Sequence, residues 1–178
     1  TTTAVFSFAR EFIEKGLDIS PLMMPLQSNL VQSGQSIRGT GPRERFEGLH
    51  PVFADSLPDH WGKSLFRKWA QNHKISMNTV TGVDLLSFIG KRATGALEYD
   101  PAYIKDEDEV VDVNVDELYS FAKSVLSERS EVTFSANHEL LWADLVKLGT
   151  SAGGRRPKAL IAVNDPDGSI KSGQAPLP

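Results

Sequence analysis

Trp61, Leu65 and Trp69 recur every four residues, with Phe66 beside Leu65. That spacing is close to one helical turn, so these large side chains fall on one stripe of a helix. A stripe that bulky has to be covered by other elements, and helical spacing favours a core role over an exposed aromatic platform. Leu57-Pro58-Asp59 starts this helix, with Pro58 near the first turn, where a missing N–H costs little. A second apolar helix follows, capped by Thr81, carrying Val83, Leu85, Leu86, Phe88 and Ile89, and stopped by Gly90. A third, over 115–126, places Leu118, Phe121, Ala122 and Val125 on one face. A fourth, capped by Asn137, turns Leu140, Leu141, Leu145 and Leu148 inward and ends at Gly149.

The strands are shorter and lie towards the two ends. Thr1 to Phe8 is β-branched and aromatic and reads as a strand. A short helix over 9–15 follows and stops at Gly16. Residues 19–26 carry Pro21 and Pro25, which confines them to an edge strand or an extended segment. The polar stretch 27–48 is a loop with a short strand near Ile37, and residues 51–56 form one or two helical turns. Residues 95–99 read as a return strand closed by Pro101. Residues 105–116 form an acidic linker. Residues 159–163 are the most strand-like run in the chain; the turn Asn164-Asp165-Pro166-Asp167-Gly168 leads into a return strand over 169–172. The expected class is α+β, with antiparallel strands and helices mixed.

Several function classes drop out on composition. Among 178 residues there is no cysteine, which removes disulfides, thiolate metal sites and a cysteine nucleophile. No two of His50, His60, His73 and His138 stand three to five apart, so no metal site is expected. The cluster Asp55, Asp59 and His60 reads as a helix N-terminus with carboxylates favouring the dipole. The net charge of −4 argues against nucleic-acid binding by bulk electrostatics. No apolar run is long enough to span a bilayer and no basic-then-apolar leader opens the chain, so the cytoplasm is the expected compartment.

One segment departs from this acidic background. Gly149-Thr150-Ser151-Ala152-Gly153-Gly154-Arg155-Arg156-Pro157-Lys158-Ala159 lies between a helix and a strand. Adjacent glycines let a backbone approach a ligand closely and turn N–H groups towards an anion. Arg155, Arg156 and Lys158 add three positive charges within four residues. The segment 149–178 holds four cations against Asp165 and Asp167, while the rest of the chain is acidic. The spacing is not that of a Walker loop. On residue types alone three readings stand: a solvated diglycine loop, a phosphate cradle, or a patch touching nucleic-acid phosphates.

Five stretches, in order, resemble the N-terminal part of HipA-type serine/threonine kinases, the toxins of bacterial persistence modules. They are Ile19-Ser20-Pro21-Leu22-Met23-Met24-Pro25-Leu26; Phe46-Glu47-Gly48-Leu49-His50-Pro51-Val52-Phe53-Ala54-Asp55-Ser56-Leu57-Pro58-Asp59-His60-Trp61-Gly62; Asp84-Leu85-Leu86-Ser87-Phe88-Ile89-Gly90-Lys91-Arg92; Gly95-Ala96-Leu97-Glu98-Tyr99; and Ser151-Ala152-Gly153-Gly154-Arg155-Arg156-Pro157-Lys158-Ala159-Leu160. The resemblance implies a HipA-like lobe over 1–148, followed at 149–178 by the glycine-rich loop and first β-hairpin of a protein-kinase-like domain.

By that resemblance, Gly153, Gly154, Arg155, Arg156, Pro157 and Lys158 cover the phosphates of ATP, and Ser151 is a regulatory autophosphorylation position. The family's loop usually has a small residue where Arg155 stands. The expected cofactors of the complete protein are ATP and magnesium. The implied partners are a HipB-type helix-turn-helix antitoxin, through which alone DNA would be met, and a protein substrate such as an aminoacyl-tRNA synthetase. No membrane partner is expected. The family's catalytic His-Gly-Asp type loop and later Asp-Phe type motif do not occur here, and its first strands would precede Thr1. The resemblance thus implies a piece of a longer kinase that is inactive alone, holding no catalytic or metal-binding residue. The alternative is a non-catalytic lobe that binds an antitoxin or substrate.

Overall fold

A computed structural model describes residues 5–22, 24–26, 37–38, 46–93, 95–104, 114–126, 145–146, 156, 158 and 161–172. In chain order the elements are β1 (Val5–Phe6), α1 (Arg10–Glu14), β2 (Ile37–Arg38), α2 (Pro51–Ala54), α3 (His60–Asn72), a 3-10 turn (Met77–Thr79), α4 (Gly82–Ile89), a second 3-10 turn (Gly90–Arg92), α5 (Val115–Leu126), β3 (Ile161–Val163) and β4 (Ile170–Ser172). Helices with two small antiparallel sheets make this an α+β chain. It divides into two compact units, Thr1–Leu57 with Thr81–Asp84, and Pro58–Val80 with Leu85–Pro178.

In the first unit, β1 pairs with β2 antiparallel, Val5 opposite Arg38 and Phe6 opposite Ile37, so the short strand near Ile37 is present. Helix α1 spans five residues and buries none of them. Residues 19–26 do not form an extended edge strand. Asp18 prevents it: one carboxylate oxygen accepts from Ser20 N–H and the other from Leu26 N–H, both at 3.0 Å. Those two bonds close the segment into a loop, reinforced by Met24 N–H donating to Ser20 O at 2.8 Å. Met24 and Leu26 are buried while Leu22, in the turn, is 93% exposed. Pro51 opens α2, and His50 Nδ1 accepts from Val52 N–H at 3.3 Å. Phe53, buried, stacks on Phe6 with ring centroids 4.1 Å apart. Thr81 caps α4 as its sequence suggests. Its N–H and hydroxyl donate to Asp84 Oδ2 at 2.8 and 2.6 Å, and its Oγ1 accepts from Asp84 N–H at 3.4 Å. This is the reciprocal logic of a capping box, with Asp in place of the usual Glu.

The second unit holds the larger core. Asp59 caps α3: its Oδ1 accepts from Gly62 N–H at 2.7 Å. Pro58 stands just ahead of the cap, near the first turn as its sequence suggests. A carboxylate suits the positive end of the helix, and this gives Asp59 a capping role. The aromatic stripe is core: Trp61, Leu65, Phe66 and Trp69 are all buried. Phe66 meets Phe88 of α4 edge to face at 5.1 Å, and Trp69 lies 5.4 Å from Phe88 and stacks on Tyr103 at 5.3 Å. Helix α5 forms where the periodicity places it and touches α3, and Ala122 is buried. Of the helix expected after Asn137, Leu145 and Val146 are described, and both are 2% exposed. The acidic linker lies mostly outside the described residues.

The return strand expected over 95–99 does not form. Tyr99 N–H donates instead to Gly90 O at 3.1 Å, and Tyr103 N–H to Ser87 O at 2.8 Å. These are carbonyls that the end of a helix leaves open, and they hold the passing chain without a ladder. Gly90 makes this possible by taking φ +56; a Cβ there would come within 2.7 Å of Ala102 Cβ.

Arg92 was not singled out by its sequence, yet it is 4% exposed. Its guanidinium donates from Nε to Ile89 O at 3.2 Å, from Nη2 to Phe88 O and from Nη1 to Val146 O, and lies 5.0 Å from the centre of the Phe88 ring. Among the described residues, no helix is long and apolar enough to cross a membrane.

Candidate phosphate-binding loop

The candidate loop precedes a β-hairpin whose local chemistry is legible. β3 and β4 pair antiparallel, with Ile161 opposite Ser172, Ala162 opposite Lys171 and Val163 opposite Ile170. The turn between them closes through Asn164 N–H donating to Ser169 O at 2.9 Å and Gly168 N–H donating to Asn164 O at 2.7 Å. Gly168 takes φ +70, a left-handed conformation that a side chain would resist. Asp167 Oδ1 accepts from Ser169 N–H at 2.8 Å. That bond holds the Asp167 carboxyl below its ordinary range, with a smaller contribution from nearby Lys171.

Of the expected phosphate contacts, the described residues include Arg156, which is exposed, and Lys158, which is half-buried. Both stand in sequence just ahead of β3. The acidic residues of the segment, Asp165 and Asp167, stand in the turn beyond the far end of β3. Gly153, Gly154, Arg155, Pro157 and the regulatory candidate Ser151 lie outside the described residues.

The histidines have ordinary duties where they are described. His50 caps α2, and His73 Nδ1 bonds Trp69 O at 2.9 Å at the end of α3. Among the described residues, no three His, Asp or Glu side chains are grouped to hold a metal ion. The residue that sequence reasoning missed is Arg92. Its partner Val146 O is 54 residues away, and no local pattern announces such a bond.

Residues 1–100 match the family model of the HipA N-terminal domain. That is more than half of the chain, and the chain belongs to this family. No curated protein and no solved structure matches it. The match stops ahead of the glycine-rich loop, so membership covers β1 through the end of α4 and the segment just after it, and the loop's role rests on its own residues.

Proposed function

We propose that this chain is the N-terminal part of a HipA-like, ATP-dependent kinase that phosphorylates a serine or threonine on another protein. The observation that carries the reading is the family match over residues 1–100. The basic diglycine loop running into β3–β4 supports it. In this reading Gly153 and Gly154 turn backbone N–H groups towards phosphate oxygens, and Pro157 limits the freedom of the loop. Lys158, with Arg155 and Arg156, balances negative charge that builds up during transfer. ATP supplies the phosphoryl group, together with magnesium, whose ligands would come from elsewhere in the protein. Ser151 is the position at which phosphorylation would turn the activity off, since a dianion there competes for the same cations. A HipB-type helix-turn-helix antitoxin is the partner that family membership implies, and DNA is reached through it. An aminoacyl-tRNA synthetase is the class of substrate the resemblance suggests.

The experiment is magnesium-dependent ATP binding and autophosphorylation by the full-length protein, repeated with Lys158→Ala and Ser151→Ala. Loss of one charged phosphate contact weakens ATP binding roughly 10- to 100-fold. Ser151→Ala keeps ATP affinity and loses the phosphate incorporated at that position. If Lys158→Ala binds ATP as tightly as wild type, the loop is not a phosphate site. A second reading is favoured by the point at which the family match ends: the matched domain contains none of the loop residues and could serve as a non-catalytic lobe that binds an antitoxin or substrate. A full-length protein that retains a helix-turn-helix partner but never binds ATP would establish that reading instead.

A further inference from the structure

We infer that His50 is an acid-sensitive latch for the first unit, a role independent of the kinase reading above. Helix α2 has four residues, Pro51–Ala54, too few to hold its shape by helical propagation. Its order runs through His50. The His50 carbonyl accepts from Phe53 N–H and from Ala54 N–H, both at 3.0 Å. Pro51 has no N–H to satisfy. The remaining donor of the turn, Val52 N–H, goes to His50 Nδ1 at 3.3 Å. A backbone N–H can only donate, so Nδ1 carries no proton and the ring hydrogen of the neutral imidazole is on Nε2. Protonating the ring puts a hydrogen on Nδ1, deletes the acceptor and leaves two donors facing each other. It also sets a positive charge against the open N–H groups of a first helical turn, where cations are unfavourable.

The change has a path into the packing of that unit. The His50 ring meets the edge of Phe53, which is 4% exposed, at 6.1 Å. Phe53 stacks on Phe6 of β1, and β1 pairs with β2. The charged residues on the surrounding segments are Glu47 in the preceding turn, Asp55 at the C-cap of α2, Arg38 on β2 and Asp84 in the first turn of α4, whose carboxylate is bound to Thr81. Among the described residues, no ion pair joins a carboxylate to His50 to offset the added charge. The second unit supplies the opposite case. His73 Nδ1 bonds Trp69 O at 2.9 Å, and a carbonyl only accepts, so there Nδ1 carries the hydrogen. A proton added at Nε2 leaves that bond intact. The resulting cation stands at the C-terminal end of α3 and 4.4 Å from the Trp69 ring, where the dipole and the π face both favour it. His60 is exposed, and Asp59 supplies the cap of α3 in place of its ring. Acid should therefore loosen the first unit and leave the core of the second in place.

The test is NMR on the full-length protein from about pH 8 to about pH 5, the interval over which imidazole gains its proton and most carboxylates stay ionised. At the upper end, ring nitrogen shifts are expected to show the Nε2–H tautomer for His50 and the Nδ1–H tautomer for His73. On acidification, amide exchange at Val52, Phe53 and Ala54, corrected for its intrinsic pH dependence, is expected to rise roughly tenfold, the effect of losing one helix cap. The Phe6 and Phe53 ring resonances should move with the His50 ring, while those of Phe66 and Phe88 stay. His50→Asn keeps a capping acceptor that takes no proton and should abolish this pH response. His50→Ala has no acceptor and should be loosened at both ends of the interval. If His50→Ala fails to fold, His50→Asn carries the test alone. An Nδ1–H tautomer for His50 would overturn the inference. So would an acid response as large in His50→Asn as in wild type, or a loosening around Phe66 and Phe88 equal to that around Phe6 and Phe53.

Discussion

The helical core of the second unit and the hairpin at its end are built on opposite terms. In the core, Trp61, Leu65, Phe66, Phe88 and Ile89 are each at most 1% exposed, and the rings interlock at 5 to 6 Å. In the hairpin, Ile161 is 39% and Val163 56% exposed, and the order comes from the ladder and from the bonds of the turn. The first region is held by apolar area removed from water, the second by hydrogen bonds that local residue types dictate. A two-stranded ribbon is marginal by itself, so the region expected to bear chemistry draws its order from neighbours and turns. The difference teaches where damage should be read: in melting for the core and in ligand affinity for the segment around the hairpin.

The sharpest way to break that contrast is a matched pair of truncations. Phe66→Ala removes a ring packed against both Phe88 and Trp69 and should cost about 3–5 kcal/mol, a fall in Tm on the order of 10 °C. Val163→Ala, on the exposed face of β3, should change stability by about 0.5 kcal/mol or less. Thermal melts of the two variants decide it. Comparable losses would mean that the hairpin face is buried as deeply as the core and that the contrast is false.

A smaller effect is expected where the core hands the chain on. Gly90→Ala forces a side chain into a left-handed conformation and brings its Cβ towards Ala102 Cβ, 2.7 Å away before any adjustment. The cost should be about 1–3 kcal/mol. Amide exchange at Tyr99, which donates to Gly90 O, should rise with it. An Ala variant as stable as wild type would show that the segment after α4 can shift freely.

What the sequence reveals follows the same division. Periodicity shows the stripe on α3 because all its members lie within three turns of one helix. The Thr81–Asp84 cap and the turn at 164–168 are legible for the same reason, since each is complete within a few residues. The failures are all at longer range or in competition with a neighbour. Asp18 takes the N–H of Leu26, eight residues on, and so curls a segment whose prolines suggest extension. Tyr99 and Tyr103 are drawn to the end of α4, and β propensity over 95–99 gives no hint of that helix. Arg92 looks like any cation after a helix; only the fold puts Val146 O beside it. For the candidate loop, glycine and charge are compatible with an anion site and equally with a solvated loop. The described residues locate Arg156 and Lys158 ahead of β3, and the choice among anions is left to the resemblance.

The finest contrast lies inside the hairpin and can be resolved by pH. Asp167 is exposed, so its charge contributes little to the fold as a whole, but its carboxylate accepts the Ser169 N–H that orders the end of the turn. That bond favours the ionised form and lowers the folded pKa below the value in the unfolded chain. The unfolded chain thus binds the proton more tightly. The bond's contribution is complete above the ordinary aspartate value and is lost as pH falls through the lowered one. Followed by NMR, the Asp167 carboxyl should titrate below an ordinary aspartate, and the Ser169 amide should shift with the same midpoint. Asp167→Asn should abolish that shift and leave the core resonances around Phe66 and Phe88 unmoved. A midpoint at or above the ordinary value would mean that the turn is not held by this carboxylate, and the account of the hairpin as locally ordered would lose its most direct support.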